Sequence, residues 1–206
     1  MESSGRTLVC SVLFLELVEY SKKPVAEQLQ LRQAFNDMLA KALGPVAPRD
    51  RIILDTADGA AVTFMGDPED ALFAAMAMRD GAAAVPIRLG VNLGPVRLVK
   101  DLSGQMNIIG DGINVAQRVT SCAEPGQLLV SRSFYEVVSC LSRDYAKLFR
   151  HEHDVYAVAG SAPARVRDAL PQPPASNPGL FGFRRSALIT APIVFLLIVA
   201  GGVAGH

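Results

Sequence analysis

The stretch NIIGDGINVAQRVTSCAEPGQLLVS, residues 107–131, decides how the chain folds. An apolar strand end runs into the turn Gly110-Asp111-Gly112, and a short helix follows. After Glu124-Pro125-Gly126 the chain returns to a strand, GQLLVS. The helix is largely apolar yet carries Asn114 and Arg118, four residues apart and so on one face. Both side chains bind oxygen, and arginine does so as a permanent cation suited to phosphate. A solvated helix edge would account for the same pair, so the rest of the chain has to separate the two.

Working outward, the run from Thr7 to Glu16 suits a buried strand. The segment from Pro24 to Gly44 has Val25, Leu29, Arg32, Phe35, Leu39 and Leu43 near helical spacing. RIILDTADGAAVTFMG, from Arg51, predicts two strands around a turn at Asp58-Gly59. A second helix starts at Pro68, with Asp67 as candidate N-cap. IRLGVNLGPVRLV is a strand, with Gly94-Pro95 predicting a bend. A short helix from Ser133 to Leu141 and a final strand region ending in HDVYAVAG complete the order. Hairpin-joined strands with helices between them predict an α+β fold, a mixed sheet with helices packed on one face.

At 206 residues, half of them hydrophobic, the chain has room for one core and an extension. Twenty basic and twenty acidic residues cancel, which argues against a nucleic-acid partner. Cys10, Cys122 and Cys140 are widely spaced, with no CxxC and no zinc spacing, which fits a reduced setting. The globular domain is expected over 7–160, followed by a Pro-rich linker with a basic flank over 161–185. Residues 187–205, ALITAPIVFLLIVAGGVAG, carry no charge and follow Arg184 and Arg185. They are long enough to cross a bilayer, so a transmembrane tail anchor is expected over 186–205. The excess of arginine before it keeps the N-terminal domain in the cytoplasm of a single-pass membrane protein.

Two acids complete the residue-level picture. Glu16 ends the first strand and Asp58 sits in the hairpin turn. If those strands are neighbours, both carboxylates meet at one sheet edge, as a hard cation with a triphosphate requires. Asp111 suits an N-cap or turn, and Asp55 a sheet-edge charge. His151 and His153 alternate onto one face of a strand but lack further ligands for a metal.

In this order the motifs resemble the class III nucleotidyl cyclases, the adenylate and guanylate cyclase catalytic domain, over roughly residues 7–158. VLFLELVEYS resembles the first metal motif and its phosphate turn, and DTADGAAVTF the second metal motif. RLGVNLGPV resembles the following strand, IIGDGINVAQRV the helix with the transition-state Asn and Arg, and AEPGQLLVS its sequel. The resemblance implies a ferredoxin-like cyclase fold that converts a nucleoside triphosphate to a cyclic nucleotide and pyrophosphate. It implies two divalent cations, magnesium or manganese, on Glu16, Asp58 and the backbone carbonyl of Leu17. Glu19, Tyr20 and Ser21 would form the phosphate turn, and Leu54 and Asn107 would stand at the base-selecting positions. Asn114 would orient the ribose, and Arg118 would stabilise charge on the phosphates. The family places its site across a dimer interface, so a homodimer is implied, with the membrane reached through residues 187–205.

This sequence departs from the family pattern in five places. Glu16 stands where the family has Asp, Ala57 and Glu19 where it has Gly, and Leu54 and Asn107 where a Lys and Asp select adenine. Leucine cannot donate a hydrogen bond to a base. The base is therefore left open, and so is the alternative of a catalytically degenerate cyclase-like dimer that senses nucleotide or regulates.

Overall fold

The computed structural model describes residues 6–82, 85–102 and 104–159. The expected linker over 161–185 and membrane segment over 186–205 lie outside the described residues. Among those described, no helix is long and apolar enough to cross a membrane.

Thirteen elements follow one another: β1 (Thr7–Leu17), α1 (Val25–Ala42), β2 (Arg51–Thr56), β3 (Gly59–Phe64), α2 (Pro68–Gly81), β4 (Ile87–Lys100), β5 (Met106–Ile109), α3 (Asp111–Ser121), β6 (Leu128–Ser131), α4 (Arg132–Leu141), α5 (Arg143–Ala146), β7 (Phe149–Glu152) and β8 (Val155–Val158). The strands form one eight-stranded sheet in the order β2-β3-β1-β4-β6-β8-β7, with β5 paired to β4. β4 and β6 run parallel, the crossover being made by α3, and the other pairs are antiparallel. The mixed α+β architecture is therefore as the sequence predicts.

The helices correct one expectation: they cover both faces of the sheet. Leu13, Leu15 and Leu17 of β1 pack with Phe35 and Leu39 of α1, Leu72 and Met76 of α2, and Phe134 and Val138 of α4. Val12 and Phe14 point the other way and pack with Ala61, Val96 and Ala116, the last from α3. Strands alternate their side chains, so a fully apolar strand needs cover on both sides.

Helix α3 lies close to β4 because β4 lacks bulk there. A Cβ on Gly90 would stand 2.4 Å from Thr120 Oγ1, and one on Gly94 would stand 3.1 Å from Gly112 Cα. Between them, the buried Asn92 donates through Nδ2 to Gly112 O at 3.0 Å. On the same residue Oδ1 accepts from Ser133 Oγ at 3.2 Å. The buried amide is thereby satisfied at both ends, as burial demands. β4 continues through Gly94-Pro95, so that pair marks the close approach of a helix and ends no strand.

Three smaller expectations change as well. Val25 and Leu29 are exposed, so the start of α1 stands clear of the core and packing begins at Leu31. Asp67 occupies the N-cap of α2 without a side-chain capping bond. The final strand is a hairpin, β7–β8, with His153 in its turn at φ 54°; His151 and His153 therefore share no strand face.

The packing of α3 makes a pointed prediction. Gly90→Ala should destabilise the domain by roughly 1–3 kcal/mol, because helix and strand must separate. Gly81→Ala, where the nearest contact is Met38 Cε at 3.9 Å, should be neutral or slightly stabilising. Urea unfolding of the two variants checks the contrast; equal effects would contradict the close packing.

Candidate active site

Glu16 and the turn that carries Asp58 stand at one end of β1. Glu16 pairs in register with Gly59 of β3 on one side and Arg88 of β4 on the other. Asp58 stands in the β2–β3 turn, and its backbone carbonyl accepts the N–H of Leu17 at 2.7 Å. Glu16 is in an ion pair: Arg88 Nε donates to its Oε2 at 2.8 Å. Both side chains are partly buried, so this contact is screened less than a surface pair. The bond to Glu16 pushes the Arg88 guanidinium above its ordinary range, and Asp58 and Glu124 add negative potential.

Arg88 was not among the residues singled out in the sequence. Its signal is a cation between Ile87 and Leu89, both fully buried. Alternation turns it away from their core and onto the face that Glu16 shares.

The turn after β1 forms a short 3-10 helix, Tyr20–Lys22. Glu19 precedes it with φ 56°, a left-handed conformation that favours glycine. Its carboxylate accepts from Lys22 Nζ at 2.9 Å, and this bond holds it below the usual carboxylate range. Tyr20 packs against the main core, and Ser21 is exposed. Leu54 packs against the second core, beside Phe14. Asn107 turns its Oδ1 back onto the N–H of Ile108 at 2.7 Å. The strands bearing Leu54 and Asn107, β2 and β5, lie near each other.

On α3, Gly112, Ala116, Val119 and Thr120 are buried. Asn114 and Arg118 project from the opposite side and are exposed. Asp111 begins the helix behind Gly110 at the N-cap, with its Oδ1 3.7 Å from Arg118 Nη2. Because this pair points away from the sheet, no contact within the described residues joins it to the acids. The candidate residues thus fall into two separate groups, an acid half and an α3 half.

The acid half-site suits a hard divalent cation. Magnesium takes one or two carboxylates and completes its shell with phosphate oxygens and water. Glu16 and Asp58 supply that number, and Arg88 leaves Glu16 Oε1 outside its bond. No cluster of three or more His, Cys, Asp or Glu that could hold a metal occurs among the described residues.

Comparison with known proteins agrees with this fold. The profile of the adenylate and guanylate cyclase catalytic domain matches residues 13–165. "Putative adenylate cyclase 3" of Rhizobium meliloti (strain 1021) is 28% identical over 149 residues, 66% of this chain and 24% of the relative. The chain thus spans about a quarter of that curated relative's length. A non-canonical dimeric guanylyl cyclase domain of the RhoGC fusion protein from Blastocladiella emersonii superposes with TM-score 0.59 at 20% identity, covering 75% of this chain and 98% of that one. The guanylyl cyclase Cya2 gives 0.60 at 15% identity, covering 77% and 95%. The guanylate cyclase domain of RhGC from Catenaria anguillulae, solved in complex with GTP, gives 0.57 at 18% identity, covering 76% and 100%. At these identities the likeness establishes the fold.

The backbone at Glu19 can be tested alone. Glu19→Gly should stabilise the domain by up to about 1 kcal/mol, since a non-glycine residue in the left-handed region is strained. Loss of the exposed Lys22 pair subtracts little from this. Thermal unfolding checks it, and a lower melting temperature would contradict the strain.

Proposed function

We infer function from one premise: the chain belongs to the adenylate and guanylate cyclase catalytic domain family. Its globular part is a nucleotidyl cyclase domain. The reaction we propose joins the ribose 3′-oxygen of a nucleoside triphosphate to that nucleotide's own α-phosphorus. The bond from this phosphorus to the β-phosphate breaks, pyrophosphate leaves in line, and the hydroxyl proton passes to solvent.

The carrying observation is the division of polar groups into an acid half at the end of β1 and an outward half on α3. Neither half is sufficient alone. In a two-fold homodimer, the acid half of one subunit meets α3 of the other. Glu16, Asp58 and the Leu17 carbonyl would hold the divalent cations, which when bound would supply neutralisation of the triphosphate charge and a lowered pKa for the 3′-hydroxyl. Arg88 adds a guanidinium beside them and offsets phosphate charge. Glu19, Tyr20 and Ser21 line the phosphate turn, and Leu54 and Asn107 flank the base. Asn114 orients the ribose. Arg118 stabilises the charge that grows on the phosphates during attack, a large term in a closed site. The run 187–205 behind Arg184 and Arg185 supports tethering to a membrane with this domain on the cytoplasmic side.

A second reading is a nucleotide-sensing dimer without turnover. It is favoured by the Glu16–Arg88 ion pair, which commits one carboxylate oxygen to a guanidinium. One experiment separates the two. The full chain in detergent is incubated with magnesium or manganese and each of the four nucleoside triphosphates, and cyclic monophosphate is sought by mass spectrometry. The proposed cyclase yields one, and Arg118→Ala lowers its formation about a hundred-fold or more while the dimer persists. Undiminished turnover in Arg118→Ala would remove that residue from the site, and a folded dimer that makes no product would favour the sensor.

A further inference from the structure

Arg32 stands in the packed stripe of α1, where a leucine would serve the core more simply. Its side chain is 18% exposed, and its guanidinium is committed to the turn that carries Asp58. Nη1 donates to Gly59 O at 3.0 Å and to Asp55 Oδ1 at 3.2 Å. Nη2 donates to Thr56 O at 3.0 Å and to Ala57 O at 2.7 Å. The remaining carbonyl of the turn, that of Asp58, is held by Leu17 N–H. Every backbone carbonyl from Thr56 to Gly59 is therefore fixed, and the carboxylate of Asp58 takes part in none of these bonds. On its other side the guanidinium lies 5.2 Å from the ring centroid of Tyr20, in the turn after β1.

A partly buried cation is costly unless its donors are satisfied, and here both terminal nitrogens are satisfied by the loop that presents an acid. We propose that Arg32 is a positioning residue: it locks the Asp55–Gly59 turn against β1 and against Tyr20, and so sets where the Asp58 carboxylate meets a cation. The inference rests on the reading of Asp58 as a cation-holding acid. Lysine at this position keeps the charge but has no planar fork to reach oxygens on both sides of the turn. The Asp58 carboxylate then samples more orientations. A role confined to stability would lower the melting temperature and leave cation affinity alone.

The experiment uses the full chain in detergent and Mn2+ alone, followed by proton relaxation enhancement well below the melting temperature. Arg32→Lys should raise the Mn2+ Kd about ten-fold, the scale of loss when a group supporting a metal ligand is removed. Asp58→Asn, run alongside, should abolish that binding. If Asp58→Asn loses Mn2+ and Arg32→Lys binds as the wild type does, the positioning role is wrong and the cation site stands. If Asp58→Asn also binds as the wild type, the cation reading is wrong and the positioning role goes with it. Should Arg32→Lys not fold, Asp55→Asn carries the test, since that side chain is 83% exposed. A Kd raised about three-fold, the scale of a surface ion pair, supports the role, and an unchanged Kd overturns it.

Discussion

The seat of α3 on β4 is the constraint from which the rest follows. With hydrogen at Gly90 and Gly94, the helix backbone comes within contact of the strand backbone. Asn92, between them, fixes the helix along the strand through Gly112. Near the other end, Thr120 Oγ1 donates to Phe14 O at 3.2 Å and to Ala116 O at 2.9 Å. A helix held this closely has one rotational setting. Ala116 and Thr120 must face the sheet, and so Asn114 and Arg118 must face outward. The exposed polar pair is a consequence of the buried glycines.

The Glu16 end of β1 obeys a different logic, in which charges are held by charges and by backbone. Glu16 is opposed by Arg88 across one strand pair, and the neighbouring turn is held by Arg32 and Leu17. Two partly buried guanidiniums flank one acidic turn, from separate elements. Such a turn keeps its carboxylate presented without cation or nucleotide, which is the preorganisation that electrostatic catalysis requires. Departures from the family pattern fall in the same region. Glu19 replaces a glycine at a left-handed position and turns its carboxylate to Lys22. Leu54, at a position where the family pattern has a lysine, is packed against the core that contains Phe14.

Much of this was legible in the residues. The element order as far as α4, the turn at Asp58-Gly59 and the shared face of Asn114 and Arg118 follow from period and turn chemistry. The apolar run LVCSVLFLEL also carries the signal for a helix on the second face. A strand covered on one side alternates, and this one does not. What could not be read is set by pairing between distant segments. Arg88 meets Glu16 only through strand register, and Arg32 stands on an apolar stripe whose purpose depends on a hairpin many residues away. Gly94-Pro95 signals a bend when read locally, whereas its actual role needs Gly112 in place. His153 belongs to a turn because β7 and β8 pair, a short-range contact that the residue pattern did not signal.

If the two half-sites complete each other between subunits, two inactive chains should repair one another. Asp58→Asn retains the α3 half and Arg118→Ala the acid half, so they are co-expressed and cyclic nucleotide formation is measured against each alone. Random pairing makes half of the dimers mixed, each with one intact site of two, so about a quarter of wild-type turnover should return. Turnover that stays at the level of the separate variants, with mixed dimers present, would contradict a site shared between subunits.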